Sequence, residues 1–210
     1  MSLTLVIGDK TYSSWSLRAA LALELTGTPY SEQLITLYRS DTRTQILQYS
    51  PTGKVPLLLC DDGAIWDSLA IAEYLAECFP VAQLWPQARA ARALARSACA
   101  EMHSGFVALR THLPMDLKRH QALAEMPADV LADIERLCGL WAECRQRFAQ
   151  GGAFLFGQAS LADAFFAPVA ARLRSYQVAL PAEAAAYVET IYQWPAFQRW
   201  YQAAQEEYLA

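Results

Sequence analysis

The amino-acid sequence predicts a chain in two parts, an α/β unit over residues 1–80 and an all-α unit over residues 87–210. Three observations point there. Short apolar runs with strand character occur only before residue 80. Helical periodicity alternates with those runs at first and stands alone afterwards. Two prolines, Pro80 and Pro86, bracket the change.

Taken in order, residues 3–7 form an apolar run that Gly8 and Asp9 break, the pattern of a short buried strand. From Ser14 onward Leu17, Leu21 and Leu25 recur at i, i+4 and i+8, so one helical face is apolar. Gly27 is a natural C-cap, and Pro29 follows it. Residues 30–37 read as a second strand, with Leu34, Ile35 and Leu37 apolar, and a polar helix covers 42–49. Pro51, Thr52 and Gly53 make a turn before the apolar run 55–60. Asp61-Asp62-Gly63 is a hairpin turn, and residues 64–66 are its second arm. A helix over 68–78 ends at Phe79-Pro80. The order β-α-β-α-β-β-α is a small mixed sheet carrying helices.

Beyond Pro86 no strand pattern appears. Leu94, Ala98, Met102, Phe106, Leu109 and Leu113 form one helical stripe, stopped by Pro114. Leu131, Ile134, Leu137, Trp141, Cys144 and Phe148 form another, stopped by Gly151-Gly152. Segments 161–173, 181–192 and 195–206 are helical as well.

Composition excludes several classes. The chain is 54% hydrophobic, much of it alanine, and no apolar run approaches the roughly 20 residues that span a bilayer. The first residues lack a basic segment and a cleavage site, so no secretory signal is expected. Five cysteines are an odd number without a C-x-x-C pair, which predicts reduced thiols and a cytoplasmic protein. The net charge of −4 comes with scattered basic residues, which disfavours nucleic acid and acidic membranes as partners.

Three corners of the first part carry chemistry. Val55-Pro56 opens a strand with a residue that cannot donate to a ladder. In a cis bond it would turn the Val55 backbone toward a ligand, and a peptide could pair there in β-fashion; the plain alternative is an edge proline. Asp67 and Ser68 precede a helix, and either can be its N-cap. A helix start attracts carboxylate, and an acid beside it can hold an ammonium. The third corner is TYSSWSLRAA, where Tyr12, Ser13 and Ser14 crowd one helix start that needs a single cap. A thiol set against a hydroxyl there is pushed toward thiolate, the nucleophilic form. Ser14 is the expected cap and Ser13 the free hydroxyl. Together the corners suit an extended, zwitterionic, thiol-containing peptide.

The order of elements, SPTGKVPLL around Val55-Pro56, WDSLAIAEYLAE after it and the all-α second half resemble the cytosolic glutathione transferase superfamily. The run from Ser13 through Arg18 to Ala22-Leu23 is similar to its serine-type classes, zeta above all. The resemblance implies a thioredoxin-like glutathione-binding unit and a helical unit that forms the acceptor pocket. It implies that Ser13 assists the glutathione thiolate; a shift of register moves that role to Ser14, Tyr12 or Thr11. Val55 then pairs with the cysteinyl backbone beside a cis Pro56, Asp67 and Ser68 hold the γ-glutamyl end, and Lys54 touches the peptide. Two positions depart from the pattern. Asp67 is one methylene shorter than the Glu or Gln more usual there, and Trp15 replaces the cysteine of zeta enzymes. The implied activity is glutathione transfer to a small electrophile by a homodimer. A maleylacetoacetate-type isomerase and a non-catalytic interaction module are the alternatives.

In the second part His103, Phe106 and Arg110 fall on neighbouring turns. Arg110 is a candidate for an acidic acceptor, with Phe106 as wall; the plain alternative is a core Phe106 and a solvated or salt-bridged Arg110. Tyr12 is a further candidate for the acceptor pocket, as a backup donor or a strand-end packing residue. Cys99 and His103 at i, i+4 are too few for a metal, so none is expected. Arg18 is expected in an ion pair. Ser160 and Asp163 form a capping box, a structural signal.

Overall fold

The structure is a computed structural model that describes residues 2–207. Met1 and residues 208–210, the outer ends of the two expected parts, lie outside the described residues. Strands β1 (Thr4–Gly8), β2 (Ser31–Ile35), β3 (Leu57–Cys60) and β4 (Gly63–Trp66) form one sheet in the order β2-β1-β3-β4. Helix α1 (Ser14–Thr26) connects β1 to β2, and only a long crossover of this kind permits their parallel pairing. β3 pairs antiparallel with both β1 and β4, the latter across the Asp61-Asp62 turn.

The period-2 alternation of β1 sorts the core. Leu5 and Ile7 face α1 and α3 (Ser68–Cys78), where Leu17, Leu21, Ile71 and Leu75 are buried. Val6 faces the other way, against Ile35, Leu57 and Ile46 of α2 (Thr42–Leu47). Gly27 closes α1 in the left-handed region at φ 68°, a conformation that costs glycine nothing.

A single 3-10 turn over Pro80–Ala82 leads to the helices α4 (Arg89–Ser104), α5 (Val107–His112), α6 (Ala128–Phe148), α7 (Leu161–Ser175), α8 (Ala182–Gln193) and α9 (Pro195–Glu206). Helix α7 is the centre of this bundle, buried on nearly every residue and packed on α1, α4 and α8. Ala19, Ala20 and Ala22 of α1 and Ala164, Ala167, Ala170 and Ala171 of α7 are all buried. The alanine bias therefore buries small side chains on both of these packed helices.

Two expectations need correction. The stripe from Leu94 to Leu113 is not one helix. It breaks at Gly105, where a Cβ would lie 2.7 Å from the Glu101 carbonyl oxygen, and at Phe106, which has φ 53°. In α6 the buried face runs through Val130, Ile134, Leu137, Trp141 and Cys144, while Leu131 is exposed.

All five cysteines are free thiols. Among the described residues no helix is long and apolar enough to cross a membrane, and no group of three or more His, Cys, Asp or Glu is placed to hold a metal ion.

Candidate active site

A cavity of about 770 Å³ opens where the C-terminal end of β1 meets the helical half. Tyr12, Ser13, Ser14 and Trp15 border it at the start of α1. Lys54, Val55 and Pro56 border it ahead of β3, and Trp66, Asp67 and Ser68 between β4 and α3. The helical half contributes Arg110, Pro114, Met115 and Arg172.

The β1–α1 connection is clamped from the far end of the chain. The Glu207 carboxylate accepts from the Lys10 N–H at 2.8 Å, the Thr11 N–H at 3.0 Å and the Thr11 hydroxyl at 2.9 Å. The Trp200 indole donates to the Lys10 carbonyl at 3.0 Å, so Trp200 secures the same loop.

The two serines have exchanged their expected positions. Ser13, not Ser14, is the N-cap of α1: its Oγ accepts from the Ser16 N–H at 3.3 Å and its hydroxyl donates to Ser16 Oγ at 2.7 Å. Ser16 Oγ also accepts from the Gly8 N–H at 3.1 Å, which ties the helix start to β1. Ser14 Oγ accepts from the Arg172 guanidinium at 3.2 Å. A hydroxyl has one proton and two lone pairs, so Ser14 keeps its proton for the cavity.

Val55-Pro56 is a cis peptide. Val55 stands outside the ladder that pairs Thr4–Val6 with Leu57–Leu59, with its residue on the cavity. Asp67 is the cap of α3: its Oδ1 accepts from the Leu69 N–H at 2.8 Å and the Ala70 N–H at 3.4 Å. His103 Nε2 lies 3.3 Å from Asp67 Oδ2. Burial lowers the His103 pKa more than Asp67 raises it, which favours the neutral imidazole beside this carboxylate. A carboxylate has about four acceptor sites, so Oδ2 retains capacity for a further donor. Because Asp67 caps, Ser68 is spare. Its buried Oγ has no hydrogen-bond partner among the described residues.

Arg18 corrects a further expectation, for it makes no ion pair among the described residues. It is buried, its three guanidinium nitrogens have no hydrogen-bond partner, and it stacks on the rings of Trp15 at 4.4 Å and Phe165 at 5.2 Å. Burial, then the charges of Arg172 and Arg110, lower its pKa to about 9. Arg172 is likewise lowered to about 10 by burial and by Arg110. Arg18 and Arg110 both lie over the Trp15 ring and Arg172 acts electrostatically on Arg18, and none of the three pairs with a carboxylate among the described residues.

Of the other expected acceptor residues, Tyr12 and Arg110 border the cavity, whereas His103 and Phe106 do not. Phe106, the residue that leads into α5, is buried in the core instead. Burial raises the Tyr12 pKa, and the ring packs edge-on against Tyr38 at 5.9 Å. Arg172 and Glu207 were invisible to motif reading. Their partners lie 158 and 196 residues away, and no local pattern encodes such contacts.

Residues 12–78 match the family described as Glutathione S-transferase, N-terminal domain. A probable maleylacetoacetate isomerase of Caenorhabditis elegans is 34% identical over 93 residues, covering 44% of this chain and 42% of that protein. Glutathione S-transferase Z2 of Arabidopsis thaliana is 28% identical over 169 residues, 76% of this chain and 74% of its own. A solved glutathione transferase homolog from Burkholderia gl BGR1, with bound glutathione, superposes with a TM-score of 0.74 over 99% of this chain and 100% of its own, at 24% identity. That likeness shows the fold, a thioredoxin-like unit followed by a helical one. The chain spans less than half the length of the nematode relative it matches.

Proposed function

We propose that the chain is a member of the glutathione transferase superfamily that binds glutathione in the cavity and transfers it to a small electrophile, a reading supported by the family match of residues 12–78, the relatives and the shared fold. The division of labour follows the expected boundaries, residues 1–80 for glutathione and 87–210 for the acceptor. One observation carries the reading. A buried hydroxyl without a partner, a strand-entry backbone outside its sheet and a serine hydroxyl with a free proton all border one cavity. These are the complements of a carboxylate, a peptide group and a thiolate.

In this reading Ser68 and the first N–H groups of α3 take the γ-glutamyl carboxylate, and the spare capacity of Asp67 Oδ2 takes the amine. Val55 pairs with the cysteinyl backbone, and Lys54 contacts the peptide. The sulfur goes to Ser14 rather than Ser13, because Ser13 spends its proton on Ser16. Ser14 stabilises the thiolate by donation, and the thiol proton goes to solvent. The thiolate then forms the carbon–sulfur bond while the leaving group departs with its electron pair.

The test is calorimetric and kinetic. Glutathione binds with a measurable Kd, and Ser14→Ala raises the apparent thiol pKa and cuts turnover with 1-chloro-2,4-dinitrobenzene, while binding stays within about three-fold. Absence of binding at millimolar glutathione would overturn the reading in favour of an interaction module. If Ser13→Ala alone has these effects, the sulfur belongs to Ser13.

A second reading is favoured by Arg110, which borders the cavity and pairs with no carboxylate among the described residues. An acidic diketo acceptor suits that cation, as in a maleylacetoacetate-type cis-trans isomerase. Glutathione-dependent isomerisation of maleylacetone decides between the two. A homodimer and a cytoplasmic location complete the proposal, the latter in keeping with five free thiols. Light scattering tests the dimer.

A further inference from the structure

We propose that Arg172 is a positioning residue for thiol activation: it selects Ser14 over Ser13 and sets the cation of the helical half beside the sulfur. The inference rests on the reading of the cavity as a glutathione site.

The geometry is specific. Arg172 stands on α7, is 4% exposed, and is anchored by one hydrogen bond from Nη1 to the Pro168 carbonyl at 3.2 Å. Its Nη2 reaches across to Ser14 Oγ, also at 3.2 Å. The bond occupies one lone pair of Ser14 and leaves its proton for donation toward the cavity. Ser13 has no such partner and closes on Ser16 instead.

The charge matters as much as the direction. Nε of Arg172 has no partner among the described residues. The ionisable groups that act on Arg172 are Arg110 from α5, a like charge, and Tyr176 from the next turn of its own helix. Arg18, behind Trp15, adds a third positive charge; the groups that oppose its shift are the Cys99 thiol and, after it, the Asp67 carboxylate, which is already engaged by α3 and His103. A buried cation without a counter-ion is costly unless something anionic completes it. A thiolate held by Ser14 is the anion that this arrangement lacks. Facing the same volume from the sheet side are Tyr12 and Lys54. Tyr12 is pushed further toward its neutral form by burial, and Lys54 adds to the positive field.

The test compares pH profiles of kcat/KM for glutathione with 1-chloro-2,4-dinitrobenzene, and the ultraviolet thiolate absorbance of the bound peptide. Arg172→Met lowers kcat/KM at pH 6.5 by about ten-fold, and the deficit closes toward pH 9. Arg172→Lys, which keeps a cation, recovers most of that loss. In the Ser14→Ala background, Arg172→Met has less than half of its usual effect, because the two act through one bond. Equal loss at every pH, an unmoved profile, or full additivity with Ser14→Ala overturns the proposal. If Arg172→Met does not fold, the lysine variant and its double with Ser14→Ala decide: an unmoved Lys profile supports the proposal only if Ser14→Ala moves its own. Absence of glutathione binding in the unaltered protein is a different result, which removes the underlying function rather than this role of Arg172.

Discussion

Two buried polar regions lie on either side of α7, and they are built on opposite principles. At its N-terminal end Asp163 is fully buried, and its carboxylate accepts from the Leu155 N–H at 3.1 Å, the Ser160 N–H at 2.9 Å, the Ser160 hydroxyl at 3.0 Å and the Tyr187 hydroxyl at 3.0 Å. Every acceptor site is used, and the capping box thereby joins the start of α7 to α8 and to the loop before it. Two to three turns further along, Arg172 and Ser68 border the cavity and Arg18 lies behind Trp15, each with buried polar atoms that have no partner among the described residues. A closed network holds a fold together, whereas an open one is completed by a ligand.

The comparison breaks first at Asp163. Asp163→Ala leaves several buried donors without an acceptor and should destabilise the protein by about 4 kcal/mol in urea unfolding. Glutathione affinity of the protein that remains folded should be unchanged. A loss of affinity at full folding would show that the closed network also serves the site.

The second effect is its pH dependence. Burial, opposed by four hydrogen bonds, raises the Asp163 pKa from 3.8 to about 6. An acid whose pKa is raised on folding favours the folded state below its unfolded pKa, and this contribution is lost as pH rises through the folded value. Between pH 3.8 and about 6, charging Asp163 therefore costs on the order of 3 kcal/mol. Asp163→Asn, which cannot ionise, should lack that loss. Unfolding free energies of both proteins at pH 4 and pH 7 give the difference, and parallel curves would contradict the shift.

On the open side the effects shift from stability to binding. Ser68→Ala should weaken glutathione about ten-fold in calorimetry. Stability should change by less than about 0.5 kcal/mol, because no hydrogen bond is lost. A large destabilisation would place Ser68 with the closed network instead. The smallest effect is expected at Arg18, although it ranks among the largest fully buried side chains. Its guanidinium makes no hydrogen bond, so Arg18→Met exchanges a desolvated charge for a shape of similar length. Stability should move by no more than about 1 kcal/mol, with gain as acceptable as loss.

Much of this was legible in the chain itself. The helix over 68–78 matches α3, since Asp67 supplies a cap and Phe79-Pro80 a stop within a single stretch. The capping box of α7 could be read from Ser160 and Asp163 alone, because its partners are three residues apart. The break at Gly105 was missed, for Phe106 continues the apolar spacing even where the backbone turns left-handed. The cap of α1 was assigned to Ser14 instead of Ser13 for a related reason. Both are good caps in isolation, and what separates them is an arginine on another helix.

The sequence by itself therefore determined the order of elements as far as α3, the C-cap of α1 at Gly27 and the capping box of α7, because these depend on residues a few positions apart. Only the tertiary structure decided which serine keeps its proton, that Arg18 stacks rather than pairs, and that Arg172 enters the site. Those outcomes depend on the packing of α1 against α7, which brings together groups far apart along the chain, and burial then leaves each with the few partners that packing supplies.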